Sequence, residues 1–175
     1  MAIYNGKHCV FEEIGLETNT YRYNSNANLD SDNCYNDYDI SQMRNTHLPN
    51  TILPKLSSAL QDNLTATTIQ TAKNGLSSTL VSTSDKLFLA AVKEMGGSTH
   101  TTTQELNALI TWQYYVLHNT NADRKKERIG GGIFYYYLRS PYLGSSSEAV
   151  VIDSNGGLNT SDADTRRDCA PCFAF

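Results

Sequence analysis

The sequence predicts an α+β domain in which two helices flank a small twisted antiparallel sheet, with long C-terminal loops on one side. Three observations lead there. Apolar residues recur at helical spacing in two stretches, at Leu53, Leu56, Leu60 and Leu64, and again at Leu106, Leu109, Ile110, Val116 and Leu117. Short runs of β-branched and aromatic residues, bounded by Gly, Asn, Ser and Asp, read as strands and crowd the last third of the chain. The helical stretches precede that final set of strands instead of alternating with it, which is α+β order rather than βαβ order. At 175 residues the chain has the size of one domain.

In order along the chain, residues 1–34 read as a leader or an N-terminal strand and loop, with a short strand over residues 9–14 and a polar loop over residues 24–33. The domain proper is expected over residues 35–175. A helix opened by Pro49 or Pro54 spans residues 52–64. Residues 65–73 and 76–83 alternate in β fashion around Asn74-Gly75, the strongest short hairpin signal. Residues 86–89 form a buried strand, and residues 90–95 a brief helix closed by Gly96-Gly97. Thr102 and Glu105 have capping-box spacing and open a second helix of about four turns. The charge run over residues 123–128 reads as a solvated turn that Gly130, Gly131 and Gly132 end. Residues 133–138, 149–152 and 170–175 are strands, separated by polar loops at 141–148 and 153–168.

Composition excludes several function classes. A net charge of -4 and a pI near 5.5 leave no basic footprint for nucleic acid. No apolar run reaches membrane-spanning length, so membrane insertion is excluded, and the first residues lack an apolar signal region, which places the start of the chain in a cytoplasm. Asn, Ser and Thr supply 50 of the 175 residues, and Tyr outnumbers Phe and Trp by 11 to 5 and 1. Tyr offers rigid contact area with a polar tip, the chemistry of a recognition surface, although it equally suits β-strands. Cys169-Ala170-Pro171-Cys172 has the spacing of a redox pair but sits in a final strand, away from any helix N-terminus that would activate a thiol. The four cysteines are expected as reduced thiols in the core. Cys9, Cys34, His8 and His47 lack the paired spacing of a zinc site. His8, His47, His100 and His118 belong to no motif, and neither a Ser-His-Asp set nor a carboxylate pair assembles. No catalytic residue, metal or cofactor is therefore expected. Arg139, at the end of an apolar strand before Ser140-Pro141, is expected to hold loop carbonyls or a carboxylate such as Glu94.

Five short segments carry a resemblance over about residues 35–175. They are Ile40-Ser41-Gln42-Met43-Arg44; Thr83-Ser84-Asp85-Lys86-Leu87-Phe88-Leu89 with Lys93-Glu94; Asp123-Arg124-Lys125-Lys126; Leu138-Arg139-Ser140-Pro141; and Ala170-Pro171-Cys172-Phe173. On these the chain resembles a domain-of-unknown-function family of surface and phage proteins of Gram-positive gut bacteria. The resemblance implies a C-type-lectin-like fold, similar also to the formylglycine-generating enzyme. Where that family has Trp before Leu-Arg-Ser-Pro, this chain has Tyr136 and Tyr137, which retains an aromatic for the core. The Glu-Pro-Asn, Gln-Pro-Asp and Trp-Asn-Asp signatures of calcium lectins and the reactive cysteine motif of the enzyme relatives are missing. Asp162, Asp164 and Asp168 accordingly read as partners of Arg166 and Arg167 rather than as calcium ligands. Some members resemble the variable proteins of diversity-generating retroelements, in which adenine-directed mutagenesis rewrites chosen codons. Residues 142–168 are composed largely of the products of such mutagenesis, interleaved with Val150, Val151, Ile152 and Leu158. An ordinary polar hairpin has the same composition.

Together the resemblance and the loop composition imply a non-catalytic ligand-binding module. Its implied role is a phage receptor-binding or adhesion protein that recognises a bacterial surface protein or glycan. The rival role is a structural virion component, a tail or decoration protein whose partners are virion proteins or further copies of the chain. The implied location is the virion, assembled in the host cytoplasm, or the bacterial cell surface. The residues expected to touch the ligand are Tyr135, Tyr137, Tyr142, Ser145, Ser147, Asp153, Asn155, Asn159, Asp162, Asp164, Arg166 and Arg167. Strand alternation would bury Tyr136 between an exposed Tyr135 and Tyr137, and would turn Val151 away from the core faced by Val150 and Ile152.

Overall fold

A computed structural model describes residues 2–4, 7–11, 21–127 and 132–175. Strands β1 (Ala2–Tyr4), β2 (Lys7–Phe11) and β3 (Tyr21–Arg22) come first. A wide-turned helix, Met43–Ile52, follows, then a tight turn, Leu53–Lys55, and helix α1 (Ser58–Asn63). The middle of the chain holds β4 (Thr67–Ala72), β5 (Leu80–Asp85), β6 (Phe88–Leu89), α2 (Thr103–Ala108), α3 (Gln113–Leu117) and α4 (Asn121–Arg124). The chain then forms β7 (Tyr136–Pro141), β8 (Glu148–Ile152), β9 (Leu158–Asp162), β10 (Arg166–Cys169) and β11 (Pro171–Ala174).

Helices and strands are mixed, with the helices short. Among the described residues the strands make three sheets, of order β3-β10-β7-β8-β9, β1-β2-β11-β6 and β4-β5. The expected antiparallel sheet needs correction: β10 runs parallel to β7, with Asp168 opposite Tyr136 and Cys169 opposite Tyr137. The β8/β9 hairpin serves as the crossover that parallel neighbours require.

Both expected helices are broken. In the first, Leu56 is extended (ψ 152°) after Pro54, and Ser57 restarts the chain as an N-cap that accepts the Leu60 N–H. In the second, Thr102 caps α2 as expected, but Leu109 turns extended (ψ 157°) and the chain stays open to Trp112. That break buries Leu109 and Trp112, whose N–H bonds to Glu94 O at 3.0 Å, and leaves Ile110, Val116 and Leu117 exposed. Placing one large aromatic in the core outweighed a continuous apolar helix face. The expected capping box at Thr102 is half present, because the Glu105 side chain turns into the core; the complete box is at Thr120 and Asp123. Residues 90–97 form a single turn rather than a helix. Gly96, at φ +77°, donates to Lys93 O and Gly97 to Val92 O, the two bonds that close a helical turn at a glycine.

The β4/β5 hairpin forms, in register from Thr67 opposite Asp85 to Ala72 opposite Leu80. Its connection is longer than a two-residue turn, because Lys73 N–H bonds to Thr79 O and Asn74-Gly75 reaches outward to other loops. Strand β7 begins at Tyr136 instead of Ile133, which makes only an isolated bridge with Glu127. The expected loop over 153–168 contains two strands, β9 and β10. Strand β9 is the edge of its sheet and half exposed, so it carries no apolar alternation to reveal it. Strand β8 is buried on both faces from Ala149 to Ile152, so Val151 is as buried as Val150 and Ile152. The expected alternation fails at Tyr136 and Tyr137 as well: both are buried.

Of residues 1–34, β2 pairs with β11, β3 pairs with β10, Tyr21 and Tyr23 are buried in the same core as the rest, and Asn24 and Cys34 are buried as well. The expected strand over 9–14 is matched by β2 through Phe11; residues 12–14 lie outside the described residues. In the charge run, Arg124 is buried at the end of α4, and Arg128, Gly130 and Gly131 lie outside the described residues.

Gly75 sits where a Cβ would collide with the carbonyl oxygens of Tyr142 and Ser145. Gly75→Ala is therefore expected to cost about 1–3 kcal/mol in urea unfolding. It should also speed amide exchange at Gly144, whose N–H bonds to Gly75 O at 2.7 Å. Unchanged unfolding and exchange would show that these loops do not touch.

Candidate recognition face

Strand β7 carries a charge into the core. Arg139 is fully buried and grips Glu94 with both ends of its fork, Nη1 to Oε2 and Nη2 to Oε1, each at 2.6 Å. Nη1 also donates to Leu89 O at 2.6 Å, and Nε donates to Gln70 O at 3.1 Å. The sequence expectation of a carboxylate or loop carbonyls is met by both. Burial pushes the Glu94 carboxyl above its ordinary value, against the pull of the guanidinium and of the Ala91 N–H. A second buried carboxylate, Glu105, accepts from Thr71 Oγ1 (3.0 Å), Ala72 N–H (2.8 Å), Thr101 Oγ1 (3.1 Å) and Ser140 Oγ. Ser140 Oγ in turn accepts the Val92 N–H. Tyr23 closes the network by donating its hydroxyl to Arg139 O at 2.7 Å.

Residues 142–147 form the turn between β7 and β8, clamped from two sides. Gly75 abuts it on one side. On the other, Asn36 Nδ2 donates to Ser145 O at 2.8 Å and Glu148 O at 2.9 Å, and Tyr35 N–H donates to Ser146 O. Within the turn, Ser145 Oγ accepts the N–H groups of Ser147 and Glu148. At the far end of the β8/β9 hairpin, Asp153 Oδ1 accepts from Asn155 and Gly157 N–H and builds the 153–157 turn.

The twelve expected contact residues therefore divide. Register places Glu148 opposite Asp162 and Ile152 opposite Leu158, so Ser145, Ser147, Asp162 and Asp164 gather at one end of the hairpin and Asp153 and Asn155 at the other. Asn155, Asn159, Asp162, Asp164 and Arg166 are exposed. Ser145, Ser147 and Asp153 are half-buried; Ser145 and Asp153 use their side chains to build turns, and the Ser147 hydroxyl lies 3.5 Å from Asp162 Oδ1. Tyr135 and Tyr142 are half-buried, and Arg167 lies over the Tyr135 ring at 5.1 Å while its Nε reaches Ser161 Oγ. Tyr137 is the correction: it is buried, and its hydroxyl donates to Asp162 O and Thr165 O, holding the 163–165 turn from beneath. Arg166 lies opposite Arg22 of β3.

Sequence reasoning missed Tyr35, Asn36 and Asp37, which lie just beyond the polar loop read at 24–33. Their signal was the interleaving of Tyr, Asn and Asp over residues 35–39, aromatic anchors set among side chains that fold back on the backbone. Asp37 is almost fully buried, and its carboxyl is raised to about 6, chiefly by burial and further by Asp39 and Asp30, against the Asp39 N–H that it accepts.

Cys169 and Cys172 are buried, and burial pushes the Cys169 thiol well up, away from thiolate chemistry. Among the described residues no group of three His, Cys, Asp or Glu side chains is placed to hold a metal ion, and no helix is long and apolar enough to cross a membrane.

Fold and face together define a mixed α/β domain that displays polar hairpins above a buried charged network. The chain belongs to the DUF6273 family, described as a domain of unknown function, whose match runs over residues 5–174 and so crosses the boundary expected at residue 34. No curated protein and no solved structure matches the chain.

Two outcomes test this anatomy. Glu94→Gln strands a buried guanidinium and is expected to cost about 3–5 kcal/mol in urea unfolding, whereas Arg139→Met combined with Glu94→Leu costs less than either single change; additive losses would refute the pairing. Asp37 gives a pH signature. Between about pH 4 and 6 the folded chain keeps a proton that the unfolded chain has released, so this group's contribution to stability falls as pH rises through that window. Asp37→Asn should be more stable than the parent at pH 7, with the difference shrinking to nothing near pH 4. A difference that is flat with pH would assign Asp37 an ordinary carboxyl.

Proposed function

We propose that the chain is a non-catalytic recognition module on a C-type-lectin-like scaffold, whose C-terminal hairpins bind a protein or glycan on a bacterial surface. The observation that carries this reading is a division of labour within residues 142–168. Backbone and buried groups hold the hairpins, while Asn155, Asn159, Asp162, Asp164 and Arg166 are exposed. Loops fixed on a rigid frame are where recognition residues concentrate. The lectin-like scaffold, the phage setting and retroelement diversification are supported by the resemblance of the five quoted segments and by the composition of this stretch. In that setting the chain is the receptor-binding tip of a virion.

The rival reading, a structural virion protein, is favoured by a different surface. Ile110, Tyr114, Val116 and Leu117 are exposed around α3, an apolar patch suited to subunit contact.

Binding of the purified chain to host cells separates the two. Asn159→Ala, Asp164→Ala and Arg166→Ala, combined, should abolish adhesion while leaving the melting temperature within a few degrees, because exposed substitutions typically change stability by roughly ±0.5 kcal/mol each. Undiminished adhesion by the triple variant would move the binding surface elsewhere. Capture of virion proteins alone, with no cell binding, would favour the structural role.

A further inference from the structure

We propose that the hollow between residues 99–100 and 142–143 is a calcium-independent subsite for one neutral sugar ring; this takes the recognition reading as its base and names the ligand class. The hollow is lined by Thr99, His100, Tyr142 and Leu143 and has a volume of about 270 Å³. Pockets for drug-sized ligands begin at roughly 300 Å³, so the occupant is the size of a single ring with part of its surface left in water.

The lining matches the two chemistries of a pyranose. One face of such a sugar is a patch of C–H groups, and its rim is a circle of hydroxyls. The Tyr142 and His100 rings, with centroids 5.9 Å apart and tilted by 41°, together with a Leu143 that is 53% exposed, supply the apolar wall. The Thr99 hydroxyl, paired at 2.8 Å with His100 Nδ1, and the Tyr142 hydroxyl, which has no hydrogen-bond partner among the described residues, supply polar groups beside it. Among the described residues no carboxylate or guanidinium lines the hollow, which selects against a charged ligand and against a bridging calcium ion.

The wall is also fixed in advance. Leu143 N–H bonds to His100 O at 3.0 Å, tying the two sides together. Tyr142 N–H bonds to Glu148 O, and Gly75 presses on Tyr142 O. His100 holds a left-handed backbone (φ +73°) that a residue with a Cβ rarely adopts. Such strain persists only where the surroundings impose it, and it collects at binding sites. A rigid aromatic wall binds without the entropy cost of ordering itself.

The test uses the full chain and a panel of free glucose, galactose, rhamnose and N-acetylglucosamine, followed by saturation-transfer NMR with and without EDTA. At least one sugar should bind with millimolar affinity, insensitive to EDTA. Tyr142→Leu, which keeps apolar bulk under the turn, should weaken it tenfold or more. His100→Asn, which tolerates the left-handed backbone while removing the ring, should do the same. Absence of binding by every sugar at tens of millimolar overturns the inference, as does binding that survives both variants or is lost with EDTA. Host-cell adhesion separates the two levels of the argument. Adhesion that neither the sugars nor Tyr142→Leu diminishes, with no sugar bound in the NMR, overturns the sugar subsite and leaves recognition standing. Sugar binding without any adhesion supports the subsite and overturns the cell-surface role.

Discussion

One guanidinium joins all three sheets. Arg139 lies in β7 of the five-stranded sheet, donates to Leu89 O in β6 of the four-stranded sheet, and donates to Gln70 O in β4 of the two-stranded one. Its charge is met by Glu94, which hangs from the turn that Gly96 closes. Only arginine offers enough donors in a fixed plane to do this at once, since a lysine ammonium is a point charge with three. Removing such an ion from water costs several kcal/mol, which the pair recovers only because every partner is already in place. The position of each sheet is thus a condition for the others, and the core is specified by geometry as much as by apolar area.

Glu105 repeats the device with hydrogen bonds in place of a cation. It ties the end of β4, through Thr71 and Ala72, to Ser140 of β7 and to Thr101 ahead of α2. Four donors surround this fully buried carboxylate. The two networks meet at Arg139 O, which receives the Tyr23 hydroxyl and lies 3.4 Å from Thr71 Oγ1. Both sit directly beneath the turn that carries Tyr142, because Arg139, Ser140 and Pro141 are the residues that lead into it. The outer turn is held by Gly75, Tyr35 and Asn36, and the chain enters it from the strand residues that carry the charged core.

How much of this the residues announced depends on whether the signal was local. A charge embedded in Tyr-Tyr-Leu-Arg-Ser-Pro has no reason to be there unless a partner is buried with it, so Arg139 and Glu94 were readable. The β4/β5 hairpin was readable from its β-branched runs around Asn74-Gly75, and strands β6, β8 and β11 because they are short apolar runs that the fold buries throughout. The helices misled because periodicity records which residues are apolar and not which of them the fold needs; Trp112 and Leu109 went inward by breaking the helix that Ile110, Val116 and Leu117 advertised. Strands β9 and β10 were hidden for the opposite reason. Leu-Asn-Thr-Ser-Asp at a sheet edge satisfies its backbone against β8 while its side chains stay polar, so it looks like loop. Tyr137 shows the limit at the face itself: alternation argued for exposure, and a central strand covered on both sides buried it.

The same anatomy restricts which positions in residues 142–168 can change without disturbing the fold. Ser145 and Asp153 look like recognition residues by type, yet each accepts two backbone N–H groups and builds a turn, so replacing either leaves donors unpaired. Gly156 has a positive φ (+81°) and lies against the Asn121 carbonyl, and Gly75 admits no side chain beneath the neighbouring turn. What remains on the outside is Asn155, Asp162 and Asp164, beside an exposed Arg166 and an exposed Asn159 whose Oδ1 accepts the Thr160 N–H. Of these, Asp162 supports the hairpin through its carbonyl, which accepts the Tyr137 hydroxyl, so its side chain is replaceable where its backbone is not. A sequence-varying mechanism acting on this stretch would be tolerated where it changes those side chains and selected against where it touches the turn builders. The composition that suggested diversification is therefore partly structural in origin, because Ser, Asn and Asp are also the residues that turns require.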